Sequence, residues 1–231
     1  GDTARVPYGN KRKIRIQEFT NEITQWLVDQ NSKMIVVACN TASSLALDYI
    51  KSKFDLPIIG VIEPGIHSAI SITKNKRVGV LGTNATIKSD AYGEGLRAAN
   101  DQISVVSQAC PLFVPLAEEG WVSGDVPTAI ATTYLEPIKR SNVDTLILGC
   151  THYPLLKSIL RQVLGSDVSL VDSGEATAAA VISVLSKNNI VSNKNTGEIH
   201  CYVTDSRDSF EALAGRFVHA NISAITHVDI S

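Results

Sequence analysis

The chain has 231 residues, 44% of them hydrophobic, and a formal charge of −2. That length admits one large α/β domain or two small ones, and the balanced charge gives no electrostatic basis for binding nucleic acid or an acidic membrane. The longest apolar runs fall far short of the ~20 residues that cross a bilayer, no signal-peptide pattern is present, and four cysteines without close spacing read as reduced thiols in a cytoplasm.

The sequence opens on a loop, Asp2 to Asn10, where Pro7 and Gly9-Asn10 mark turn chemistry and neither helix nor strand begins, as though the chain started within a domain. A helix follows, with Ile16, Phe19, Ile23, Trp26 and Leu27 on its apolar face. Its basic start, Lys11 to Arg15, reads as a solvated face before it reads as a guide for an anionic substrate. The apolar run Met34 to Ala38 then reaches Cys39-Asn40-Thr41 and a helical pattern through Phe54. A second apolar run, Leu56 to Ile62, closes on Glu63. Pro64 to Thr73 is expected to be helical. Arg77 to Leu81 is a strand that meets the small hydroxyl residues Thr83 and Thr86. Thr83 and Thr86 suit either recognition of an anion or capping of the next helix, and one residue can do both.

Ser104 to Cys110 is expected to be a strand running into Phe113 to Ala117, with Glu118 following an apolar run before the Gly120 turn. By itself Glu118 reads as a surface carboxylate that could reach a site. Val126 to Ile138 is helical, with Pro127 near its first turn. The strand–cysteine pattern then returns as Thr145 to Gly149, Cys150-Thr151-His152, and an apolar helical spacing through Val163 that Gly165 stops. Its second strand, Val168 to Val171, closes on Asp172. Glu63 lies 24 residues after Cys39 and Asp172 lies 22 after Cys150, so strand–Cys–helix–strand is made twice. Glu175 to Lys187 is helical, Asn188 to Gly197 a polar loop, Ile199 to Val203 a strand, Ser209 to Val218 a helix and Ile225 to Ile230 a last strand. Cys110 and Cys201 read as structural, and His67, His200, His219 and His227 need no functional explanation.

Continuous Val/Ile/Leu strands followed by helices signal parallel sheet buried on both faces, and ligands of such sheets sit at the carboxyl ends of the strands, where both cysteines fall. A cysteine there meets the positive end of a helix, which is expected to lower its pKa. One such thiol suggests the nucleophile of a hydrolase. Two thiols facing each other across a substrate could instead remove a proton from carbon on one side and return one on the other. The pattern alone leaves this beside a disulfide, which a reducing compartment opposes, zinc, for which Cys150-x-His152 is too few ligands, and a redox pair, which would carry C-x-x-C.

Ala38-Cys39-Asn40-Thr41-Ala42, Gly149-Cys150-Thr151-His152-Tyr153-Pro154-Leu155-Leu156 and Asp2 to Gly9 resemble the signatures of the glutamate racemases of the aspartate/glutamate racemase superfamily. Val114 to Gly120, Gly82 to Thr86 and His227 to Ile230 fit as well. The resemblance implies an α/β protein of two similar domains, each a mostly parallel sheet flanked by helices, related by a pseudo-twofold axis. Residues 1–74 plus 190–231 would form the domain carrying Cys39, and 75–189 the domain carrying Cys150. It implies cofactor- and metal-independent interconversion of L- and D-glutamate in the bacterial cytoplasm, supplying D-glutamate for peptidoglycan. Cys39 and Cys150 would be the acid/base thiols, assisted by His152 and Glu118. Pro7, Tyr8, Gly9, Asn40, Thr41, Thr83, Thr86 and Thr151 would hold the substrate. The partner would be small-molecule glutamate, not nucleic acid or membrane, with a homodimer or a monomer left open. The family also carries a first strand ending in Asp-Ser-Gly ahead of the Pro7-Tyr8-Gly9 loop; no such segment precedes Asp2 here, and full activity is expected to need it. The alternatives are an aspartate racemase or other superfamily member, a single-thiol hydrolase, or a non-catalytic regulator.

Overall fold

A computed structural model of the chain describes residues 1–193, 197–217 and 220–230; Val218 and His219 lie outside them. After a 3-10 turn at Tyr8–Asn10, α1 (Lys13–Asp29) buries Ile16, Phe19, Thr20 and Thr24. The two threonines can be buried because each hydroxyl donates to the carbonyl one turn back, Thr20 to Ile16 at 2.6 Å and Thr24 to Thr20 at 2.7 Å. Next come β1 (Ile35–Val37), α2 (Asn40–Lys51) and β2 (Ile58–Gly60), with the two strands paired in parallel. On α2, Ala42, Ala46 and Ile50 recur every four residues and face the strands and α1. Ser43 ties this unit together: its hydroxyl donates to the Val37 carbonyl at 2.7 Å and accepts from the Val61 N–H at 3.3 Å.

α3 (Ile62–Ile72) starts earlier than the sequence suggests. Glu63 therefore stands exposed in its first turn instead of closing a strand. Then follow β3 (Arg77–Gly82), α4 (Asn84–Ser89), α5 (Ala91–Ala99) and β4 (Ser104–Ala109). The stretch after Pro111, to which the sequence assigns no element of its own, is the short helix α6 (Phe113–Glu118). Pro111 cannot continue the strand ladder, Pro115 is tolerated in a first helical turn, and Phe113, Leu116 and Ala117 bury one face at helical spacing. Phe113 meets Tyr134 and Tyr153 edge-on at 5.2 and 5.3 Å. α7 (Asp125–Arg140), β5 (Thr145–Gly149), a 3-10 turn at Tyr153–Leu156, α8 (Lys157–Leu164), β6 (Ser169–Asp172), α9 (Ser173–Lys187), β7 (His200–Val203), α10 (Arg207–Phe217) and β8 (Ala224–His227) complete the order.

The four-stranded sheet runs β4-β3-β5-β6 with every pairing parallel. β5 is buried at every position. Leu146 and Leu148 pack toward α6, α7 and α8, and Ile147 packs toward α3 and α5. This alternation explains why β5 reads as one apolar run: both faces are covered. β7 and β8 form a separate parallel pair, joined to α1 by the Trp26 and Tyr202 rings at 4.8 Å. The connection from α3 to β3 is pinned by Asp144, whose carboxylate accepts from the Thr73 hydroxyl and from the Lys74 and Asn75 N–H groups, each at 2.7 Å. Among the described residues no helix is long and apolar enough to cross a membrane.

Candidate active site

Cys39 is the N-cap residue of α2, immediately beyond β1. Burial pushes its thiol above the ordinary value, while the N–H groups of Ala42 and Thr41 and the Thr41 hydroxyl pull it down. Cys150 stands beyond β5 and is 6% exposed. Burial pushes it up to about 12, against the His152 and Tyr153 N–H groups and the Thr151 hydroxyl, and a charge on Cys39 raises it further. The expected lowering at a helix N-terminus is therefore reversed: desolvation of a buried sulfur outweighs the donors aimed at it. A charge on Cys39 is felt at Cys150, although the two lie on units distant in sequence. All four cysteines are free thiols. Among the described residues no three potential metal ligands come together.

Around Cys39, three predicted threonines form one cluster. Thr41 Oγ1 lies 2.9 Å from Thr83 Oγ1 and 3.2 Å from Thr86 Oγ1, and Thr83 and Thr86 are 3.1 Å apart. Thr83 also caps α4 by accepting from the Thr86 N–H at 3.2 Å, which is the capping role the sequence allowed. Gly9 leans on this cluster: a β-carbon there would fall 2.7 Å from Thr83 Cβ, a close approach only glycine permits. The neighbouring Tyr8 hydroxyl is engaged by the Asp2 carboxylate, which also pairs with Arg5 at 2.8 Å. Pro7 is exposed at the lip of the loop. Asn40 is 2% exposed and accepts at Oδ1 from the Tyr92 hydroxyl at 2.7 Å.

On the other side, His152 Nδ1 lies 3.8 Å from Cys150 Sγ and 3.4 Å from Thr151 Oγ1, and Nε2 lies 3.1 Å from Glu118 Oε1. Burial lowers the His152 pKa, against the pull of Glu118, so the ring is neutral at pH 7. A neutral ring facing a carboxylate carries its proton on Nε2, which leaves Nδ1 to accept from the Cys150 thiol. Two residues missed in the sequence support this pair. Arg216 Nη1 donates to the Glu118 carbonyl at 2.6 Å and the Ala117 carbonyl at 3.2 Å, and the Phe217 ring meets the His152 ring edge-on at 5.9 Å. Both come from α10, whose sequence shows only an ordinary amphipathic helix. Asp172, paired with Glu63 by spacing, instead caps α9 and binds Lys157 at 2.7 Å.

Residues 4–181 match the family model described as Asp/Glu/Hydantoin racemase. The chain belongs to the Asp/Glu/Hydantoin racemase family. The match spans both cysteine units of this racemase-family fold. A glutamate racemase of Geobacter metallireducens is 43% identical over 231 residues, covering 100% of this chain and 86% of that protein. The crystal structure of a glutamate racemase isoform from Bacillus anthracis superimposes with a TM-score of 0.95 at 36% identity, covering 100% of this chain and 86% of the other. That of a glutamate racemase from Francisella tularensis, in complex with D-glutamate, gives 0.94 at 35% identity with the same coverage. Parallel sheets flanked by helices are thus the racemase fold.

Proposed function

We propose that this chain interconverts L- and D-glutamate by two-thiol acid/base catalysis without a cofactor. Its place would be the bacterial cytoplasm, where it supplies D-glutamate for peptidoglycan. The observation that carries the reading is the pair of thiols, each beyond a strand end with backbone and hydroxyl donors aimed at it, and a charge on Cys39 felt at Cys150. We take residues 1–74 plus 190–231 and residues 75–189 as two halves related by a pseudo-twofold axis, with α3 lending a face to the second core.

In this scheme one thiolate removes the α-proton and the opposite thiol delivers its own proton to the other face of the carbanion. The products are the inverted amino acid and an exchanged pair of protonation states. Racemisation needs one thiolate and one thiol, and the field between the cysteines favours that mixed state, since ionising one makes the other harder to ionise. On the Cys150 side, His152 Nδ1, 3.8 Å from the sulfur, takes or returns the thiol proton in this reading, with Glu118 steadying the imidazolium. The α-hydrogen is a weak acid, so charge developing on the carboxylate must meet fixed donors in a site that excludes water. In this reading the Thr41–Thr83–Thr86 hydroxyls, Asn40 and the Pro7-Tyr8-Gly9 loop supply them on one side, and Thr151 on the other.

The test is the circular dichroism of L-glutamate and, separately, L-aspartate incubated with the purified protein. Decay of the glutamate signal to zero with aspartate unchanged supports the reading. Decay of aspartate alone makes the chain an aspartate racemase, and loss of neither signal refutes the function.

A further inference from the structure

Asn40 is buried beside Cys39, and its two amide atoms are treated differently. Oδ1 accepts a hydrogen bond from the Tyr92 hydroxyl at 2.7 Å, whereas Nδ2 has no partner among the described residues. An unpaired donor in the interior is costly, and such groups persist where something is meant to bind them. Tyr92 is 2% exposed and comes from α5, an element separate from the α2 helix that carries Asn40. Its ring is clamped between two glycines. A β-carbon on Gly65 would fall 3.2 Å from Tyr92 Cε1, and one on Gly149, next to Cys150, would fall 3.1 Å from Cε2. The phenol oxygen therefore has a fixed position. Burial keeps it protonated, against the Ser173 hydroxyl, so it acts as a donor and the amide must turn its oxygen toward it.

We propose that Tyr92 is a positioning residue: its hydroxyl locks the Asn40 amide so that the NH₂ edge is presented to a carboxylate of the substrate. The proposal rests on the reading of Asn40 as a glutamate-binding residue. Without the phenol donor, the amide can turn about its Cβ–Cγ bond and offer an oxygen to the carboxylate, where it repels.

Tyr92→Phe removes the donor and keeps the ring. It is expected to raise the KM for glutamate about tenfold while changing kcat less than threefold. Asn40→Ala should do the same, and the double variant should be no worse than Asn40→Ala alone, because the phenol acts only through the amide. Effects that multiply in the double variant, or an unchanged KM in Tyr92→Phe, overturn the proposal. A second measurement uses the unaltered protein, so it does not depend on the variant folding. In protein labelled with ¹⁵N-asparagine, the NH₂ signal that disappears in Asn40→Ala should shift on adding glutamate, and a signal that stays still overturns the proposal. A wild-type protein that neither binds nor turns over glutamate brings down the functional reading and this proposal with it. An active wild type with independent Tyr92 and Asn40 effects brings down the role of Tyr92 alone.

Discussion

Glu118→Gln isolates the support of one acid/base group without touching a thiol. The carboxylate accepts from His152 Nε2 at 3.1 Å, and its charge is of most use when Nδ1 has taken the Cys150 proton and the ring has become cationic. A hydrogen bond to a charged group contributes ~1.5–3 kcal/mol. Because the Glu118 side chain is 41% exposed, solvent screening places the effect at the low end, about 1.5 kcal/mol, which is roughly a tenfold fall in kcat/KM. L- and D-glutamate are equal in free energy, so kcat/KM must fall equally in both directions. The location of the damage shows in the primary isotope effect of α-deuterated substrate. For the enantiomer deprotonated at Cys150, the slowed step is C–H cleavage, and the isotope effect rises. For the other enantiomer, cleavage at Cys39 becomes a reversible prelude, and the effect falls. Kinetics followed by circular dichroism on both deuterated enantiomers measure this. A change below twofold in kcat/KM, or equal isotope effects on the two enantiomers, would refute the assignment of Glu118 and His152 to the Cys150 side.

Gly9→Ala forces a β-carbon against Thr83; it should cost ~1–3 kcal/mol of stability and raise KM, as thermal melts and kinetics would show. Leu148→Ala opens a cavity two residues before Cys150 on a fully buried strand and should cost ~2–5 kcal/mol, read by denaturant unfolding. Both thiols lie above their ordinary value of 9.0, so kcat/KM should climb as pH rises from 6 to 9 while the active mixed thiol–thiolate form gains population; a flat profile contradicts this. The same raised value makes the neutral Cys150 thiol stabilising below about 9 and progressively lost as pH rises toward about 12. Cys150→Ala should therefore unfold less steeply in alkali.

The parallel sheet was readable because β5 carries its burial in its composition: a strand covered on both faces has no polar position to hide the pattern. The threonine cluster was readable as residue types at strand ends, though the contact of Thr41 with Thr83 and Thr86 needed the fold. Other features were not legible. The Phe113–Glu118 stretch contains a helical spacing too short to outweigh the strand that precedes it. The thiol shifts went the other way because helix-end donors are visible in sequence and desolvation is not. Tyr92, Arg216 and Phe217 act across the site through contacts distant in sequence, and nothing local marks them.

The central claim is that each thiol serves one face of the same carbon. It is tested most directly by incubating L- and D-glutamate in deuterium oxide with the wild-type protein, Cys39→Ser and Cys150→Ser, following optical signal and α-deuterium together. Wild-type protein should racemise with deuterium incorporation, and each variant should lose racemisation from both enantiomers. Full racemisation by either variant would contradict it.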